Sequence, residues 1–124
     1  MDKVVHFEVP FDDGDRARAF YRDAFGWELG TLPGMPYTLA TTTPTDDSGR
    51  PTEPGAINGG MFAREAPFTG PILVMGVDSI DESLAKIEKS GGVTVVPREA
   101  VGDMGFSAYF KDPEGNLLGL WETA

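Results

Sequence analysis

The chain has one histidine, His6, and it stands two residues before Glu8 in the stretch VVHFEVP. In an extended segment, residues two apart share a face, so an imidazole and a carboxylate would point the same way. Imidazole changes charge nearest neutral pH, so any proton transfer there turns first to His6. A neighbouring carboxylate that holds the ring and its proton would make an acid–base pair. The same two groups also suit plain hydrogen-bonding anchors, or a metal site with His6 as a ligand. Glu122, in NLLGLWE, is a further carboxylate that follows a strand-like apolar run. Asn58, just before Gly59-Gly60, and Tyr109 in FSAYF are other polar side chains that a small molecule could meet. Nucleophilic catalysis lacks its parts, because there is no cysteine, no Gly-x-Ser-x-Gly and no paired-histidine motif. Gly59-Gly60 is not a phosphate loop, since no helix pattern and no suitably spaced lysine follow it.

These residues need elements to position them. VVHFEVP alternates, with Val4, His6 and Glu8 on one face and Val5, Phe7 and Val9 on the other, as in a half-buried strand. In FDDGDRARAFYRDAFG, the spacing of Ala17, Phe20, Tyr21, Ala24 and Phe25 predicts an amphipathic helix, capped near Asp13 and closed by Gly26. WELGTL and MPYTLATTT read as strands separated by Pro33-Gly34. Residues 43–55, rich in Pro and Gly, read as a mobile loop. AINGGMFA resumes a strand in which the glycine pair marks weakness or the close approach of another group.

The order then repeats. PILVMGV is an apolar strand, and DSIDESLAKIEKSGG is a helix opened by the capping box Ser79-x-x-Glu82. Its stripe is Ile80, Leu84 and Ile87, and Gly91-Gly92 ends it. VTVVP, GFSAYFKD and NLLGLWE are three further strands, the last two joined by a type I turn at Asp112-Pro113-Glu114-Gly115. The two βαβββ runs are offset by about 68 residues, too long for a solenoid repeat. Met61, Met75 and Met104 are expected as core filling, and Trp27 and Trp121 as packing against the helices.

A length of 124 residues suits a single domain, residues 1–124, with module boundaries near 1–66 and 70–124. Twenty acidic against ten basic residues give a net charge of −10, which argues against nucleic-acid and anionic-membrane partners. The acidic balance is an ordinary soluble surface, or a field that favours a cationic ligand. No apolar run reaches a membrane-spanning length, no signal peptide is read at the start, and a cysteine-free composition fits a cytoplasmic setting.

HFEVP, ARAFYRDAFGWEL, VDSIDESLAKIEKSGG and FKDPEGNLLGLWE, in that order, resemble the vicinal-oxygen-chelate superfamily of glyoxalases, extradiol dioxygenases and bleomycin-resistance proteins. The likeness runs over essentially the whole chain and is nearest to a single-domain, glyoxalase-like branch. It implies an α+β fold of two βαβββ modules whose sheets curl into a cup, with helices on the outer face and a homodimer completing many members. Catalytic members hold a divalent metal in the cup. Carried over residue by residue, the ligand positions fall on His6, Asn58, Ile72 and Leu120, with Glu122 two residues further along the face of Leu120. One imidazole, one amide and two aliphatic side chains fall short of the roughly three ligands such a site needs. The expectation is therefore no cofactor, with a divalent metal as the less favoured reading. The resemblance then implies a small-molecule-binding protein with a degenerate metal site, sequestering a toxic aromatic or cationic compound. Its walls would be Ile72, Val74, Leu118 and Leu120, its polar anchors His6, Glu8, Asn58 and Glu122, and Tyr109 would stack on the ligand. The alternative is a glyoxalase-like lyase or isomerase with His6 as metal ligand or acid–base group, and a third reading is a ligand-sensing subunit.

Overall fold

The computed structural model describes residues 1–124. The chain is α+β, with the order β1 (Lys3–Phe11), α1 (Gly14–Phe25), β2 (Glu28–Thr31), β3 (Thr38–Thr41), β4 (Asn58–Ala63), β5 (Ile72–Gly76), α2 (Ile80–Lys89), β6 (Val93–Val101), β7 (Gly105–Lys111) and β8 (Leu117–Thr123). This is the βαβββ module twice over. It divides into two compact units, His6–Pro71, and Ile72–Ala124 joined by Met1–Val5. No helix is long and apolar enough to cross a membrane.

In the first unit the strand order is β2-β3-β4-β1, with β1 parallel to β4 and the other pairs antiparallel. The second unit repeats this as β6-β7-β8-β5, with β5 parallel to β8. Each module thus crosses over through its helix and returns through two antiparallel strands.

The helices start and stop where side-chain chemistry dictates. Asp13 caps α1 by accepting from the Arg16 amide, and Gly26 closes it in the left-handed region at φ 73°. Ser79 caps α2 by accepting from the Glu82 amide. The two helices differ in what they bury. Ile80 and Leu84 of α2 form a core with Ala108, Phe110 and Leu120, and Met75, Val77, Ile87, Phe106 and Leu118 pack around it. No residue of α1 is fully buried, and Phe20 and Phe25 remain 56% and 64% exposed. Tyr21 instead stacks on Trp27 at 4.8 Å, and Trp27 meets Phe7 at 5.5 Å, so an aromatic ladder ties α1 to β1.

Three sequence expectations change. β6 does not stop at Pro97 but runs on to Val101, with register shifts between Thr94 and Glu99. Proline is tolerated there because β6 is an edge strand and a bulge absorbs the missing donor. Residues 43–55 are organised around Asp46, whose Oδ1 accepts from the Ser48 amide, the Ser48 hydroxyl and the Arg50 amide. Met61 is fully buried and Met75 lines the α2 core, but Met104 is half exposed, in the turn between β6 and β7.

Candidate functional site

β1 of the first unit turns Phe7 and Val9 towards the face where Gly59, Met61, Thr38 and Ala40 sit, by register with β4 and β3. Arg18 of α1 reaches Thr38 on that face, so it is the helix-bearing side. His6 and Glu8 point the other way, in register with Asn58 and Gly60. Glu8 is buried, only 4% exposed, so it does not lie on a solvated rim. Its carboxylate is met by Tyr37, whose hydroxyl donates to Glu8 Oε2 at 2.8 Å. The same hydroxyl lies 2.8 Å from His6 Nε2. His6, Tyr37 and Glu8 therefore form one hydrogen-bonded chain, with Tyr37 as its centre. Burial pushes the His6 pKa below its ordinary value, against the opposing pull of Glu8. The imidazole is neutral at pH 7.

The glycine pair explains how a tyrosine reaches this position. A Cβ on Gly60 would overlap the Tyr37 hydroxyl and ring, and one on Gly59 would lie 2.6 Å from the ring of Phe7. Gly60 thus serves Tyr37 on one face and Gly59 serves Phe7 on the other, which is the close approach the sequence suggests at this pair. Asn58 is taken up locally, since its Oδ1 accepts from the Thr42 amide at 2.9 Å and ties β4 to the end of β3. Tyr37 is the residue that sequence reasoning missed.

In the second unit the last strand faces opposite to expectation. Leu118, Leu120 and Glu122 pair across with Phe110, Ala108 and Phe106, which look towards α2. Leu120 is 2% exposed inside that core, so neither it nor Leu118 lines a cup. Ile72 and Val74 lie on the opposite face with Gly119 and Tyr109, again by register. Trp121 also lies on that face, opposite Ser107, rather than against the helix.

Glu122 has a structural task. Its Oε1 accepts from the Ile80 amide at 2.8 Å, at the first turn of α2, and its Oε2 accepts from Arg98 at 2.7 Å. Arg98 lies over the ring of Phe106 at 3.5 Å. The Arg98 hydrogen bonds, then the Ile80 amide, hold the Glu122 carboxyl below the usual range. Its contribution to stability is therefore fully present above the ordinary value of 4.5 and is lost as pH falls through the lower folded value. Glu122→Ala should lower Tm by about 4 °C at pH 7, the size of losing one helix cap. The gap between variant and parent should close on acidification, and thermal unfolding from neutral to acid pH reads both effects.

Comparison with known proteins fits this geometry. Residues 3–43 match the family model described as bleomycin resistance protein-like, N-terminal. The glyoxylase-type protein CFP32 of Mycobacterium bovis is 30% identical over 116 residues, covering 90% of this chain and 42% of its own length. The chain thus spans less than half of that relative. A glyoxylase-like domain-containing protein of Didymella fabae is 28% identical, with 92% of this chain and 88% of the relative covered. Among solved structures, a methylmalonyl-CoA epimerase bound to methylmalonyl-CoA and NH4+ superposes with a TM-score of 0.66 at 19% identity, over all of this chain and 96% of its own. The chain is similar to bleomycin-resistance-like and glyoxylase-type proteins, in line with the vicinal-oxygen-chelate resemblance, and shares the fold of the epimerase.

The metal positions of the vicinal-oxygen-chelate resemblance can be tested on the donors present. In the first unit, His6 Nε2 is engaged with Tyr37 and Asn58 Oδ1 with a backbone amide. In the second unit, Ile72 has no donor atom and Leu120 sits in the helix-facing core. The β8 residue on the other face is Gly119, which has no side chain, and a Cβ there would press on Val74 at 3.0 Å and Tyr109 at 3.3 Å. No three His, Asp or Glu side chains gather within reach of one ion. This donor set does not fit a divalent metal, which needs roughly three protein ligands.

Proposed function

We propose that this chain is a metal-independent small-molecule-binding protein of the glyoxalase and bleomycin-resistance type. Its polar anchor is the His6–Tyr37–Glu8 chain on the face of the first unit turned away from α1. The observation that carries this reading is the burial of Glu8. A carboxylate only 4% exposed costs free energy unless its oxygens are hydrogen-bonded, and Tyr37 supplies one such bond. An acceptor held among apolar strands suits a ligand that is partly apolar and carries hydrogen-bond donors or positive charge. The net charge of −10 supports a cationic one. Sequestration of a toxic aromatic or cationic compound, by a cytoplasmic homodimer, is the use we assign to it.

A second reading is proton-transfer catalysis of the isomerase or lyase kind. It draws on His6, which is neutral at pH 7 and so competent as a base, and on the epimerases among the structural neighbours.

Metal analysis with calorimetry separates these readings. Protein purified without chelator or affinity-tag metal should carry far less than one equivalent of metal. It should still bind members of a panel of aromatic cations, and Glu8→Gln should weaken that binding about tenfold by removing the buried negative charge behind His6. Near-stoichiometric metal that disappears in His6→Ala would sink the lead reading. Metal-free turnover of methylglyoxal–thiol adducts would favour the second.

A further inference from the structure

We propose that Tyr37 is a positioning residue that locks His6 as its Nε2–H tautomer, and that this sets the site to take a ligand presenting an N–H or O–H donor. The ligand half of this inference rests on the binding function proposed above, whereas the tautomer half does not.

The protons available along the chain fix the direction of each bond. An ionised carboxylate can only accept. The Tyr37 hydroxyl has one proton and gives it to Glu8 Oε2. Towards His6 the phenolic oxygen can then only accept, so the 2.8 Å contact requires the proton on His6 Nε2. In a neutral imidazole this leaves Nδ1 with a bare lone pair. Nδ1 makes no hydrogen bond within the protein, and Thr43 Oγ1 is the only side-chain atom sealed away without a partner, so Nδ1 is open to solvent. The polar end of the site is thus an acceptor backed by a carboxylate.

The surrounding charges reinforce that selection. Arg18 is held by Asp15 and Thr38 on the helix-bearing side, Arg64 by Asp12, and Arg22 by Asp23. None of these guanidinium groups is directed at His6. A carboxylate or phosphate approaching Nδ1 would meet a lone pair with a buried anion behind it, and an amidinium or ammonium would meet complementary charge. Were the direction of both bonds reversed, Nδ1 would carry the proton. The tautomer therefore reports which ligand class the site is set to accept.

Because the chain has one histidine, its imidazole gives a single pair of nitrogen signals. In ligand-free protein, ¹⁵N-detected NMR should show Nε2 protonated and Nδ1 bare at neutral pH. Tyr37→Phe should convert this to a mixture of tautomers, and Gly60→Ala, whose methyl displaces the Tyr37 hydroxyl, should do the same if Tyr37→Phe fails to fold. Benzamidine should move the Nδ1 signal, and benzoate, a planar ring of similar size that offers only acceptors, should not. An Nδ1–H tautomer in the parent protein would overturn the proposal, as would a tautomer unchanged in either folded variant. A shift from benzoate as large as that from benzamidine, or none from benzamidine up to its solubility limit, would overturn the ligand class. Failure of the whole aromatic panel to bind would sink the functional reading and leave the tautomer result standing.

Discussion

Leu120→Ala should destabilise the protein by about 2–5 kcal/mol, the range for truncating a fully buried leucine. Leu120 is 2% exposed and packs with Ile80, Leu84, Ala108 and Phe110, so the deletion leaves a cavity beneath α2. That helix is anchored to β8 both by this core and by the bond from the Ile80 amide to Glu122. The void should loosen its first turn before the rest. Urea unfolding gives the free energy, and hydrogen exchange at the α2 amides shows where the loss falls. Ligand binding anchored at His6 should change little in the fraction that stays folded. A variant as stable as the parent would place Leu120 outside the core and restore it as a candidate for the ligand site.

Gly60→Ala should have the second large effect, and it acts on the site itself. The added methyl would overlap the Tyr37 hydroxyl and ring, so Tyr37 must leave its place between His6 and Glu8. Glu8 would then lose a hydrogen bond while remaining buried, at a cost of about 1–3 kcal/mol. The paired control is Tyr37→Ala, which removes the ring and makes room for the methyl. If steric conflict with Tyr37 is the cause, adding Gly60→Ala to Tyr37→Ala should cost much less than adding it to the parent. Equal costs in the two backgrounds would trace the effect to backbone conformation instead.

Much of the fold is legible in local chemistry. Asp13 and Gly26 bound α1, Ser79 opens α2, and Asp112 organises the turn before β8 by accepting from the Glu114 and Asn116 amides. These signals act over a few residues, so sequence spacing carries them. The orientation of β8 was not legible. Alternation shows that Leu118, Leu120 and Glu122 share a face but not which face it is, and reversing that choice exchanges all of them with Gly119 and Trp121. Only the pairing of Ala108 with Leu120 decides it, and that is a contact between strands. Tyr37 was hidden for a related reason. Gly60 signals that something comes close, but its occupant arrives from the start of β3, and the register of Leu39 with Gly60 is what brings it there. His6 and Glu8 were readable as a pair because they lie on one strand.

β1 belongs to both compact units, with Met1–Val5 in one and His6–Phe11 in the other. No single cut can therefore yield two complete halves. Cleavage after Pro71 would leave β5 in a fragment without its β1 neighbour, exposing a strand edge prone to pair with other chains. During synthesis, Met1–Val5 must wait for the strands of residues 72–124 before the second unit can close, whereas the first unit needs nothing beyond Pro71. Expressing the two modules as separate polypeptides would call for a duplicated or relocated first strand, as in a circular permutant.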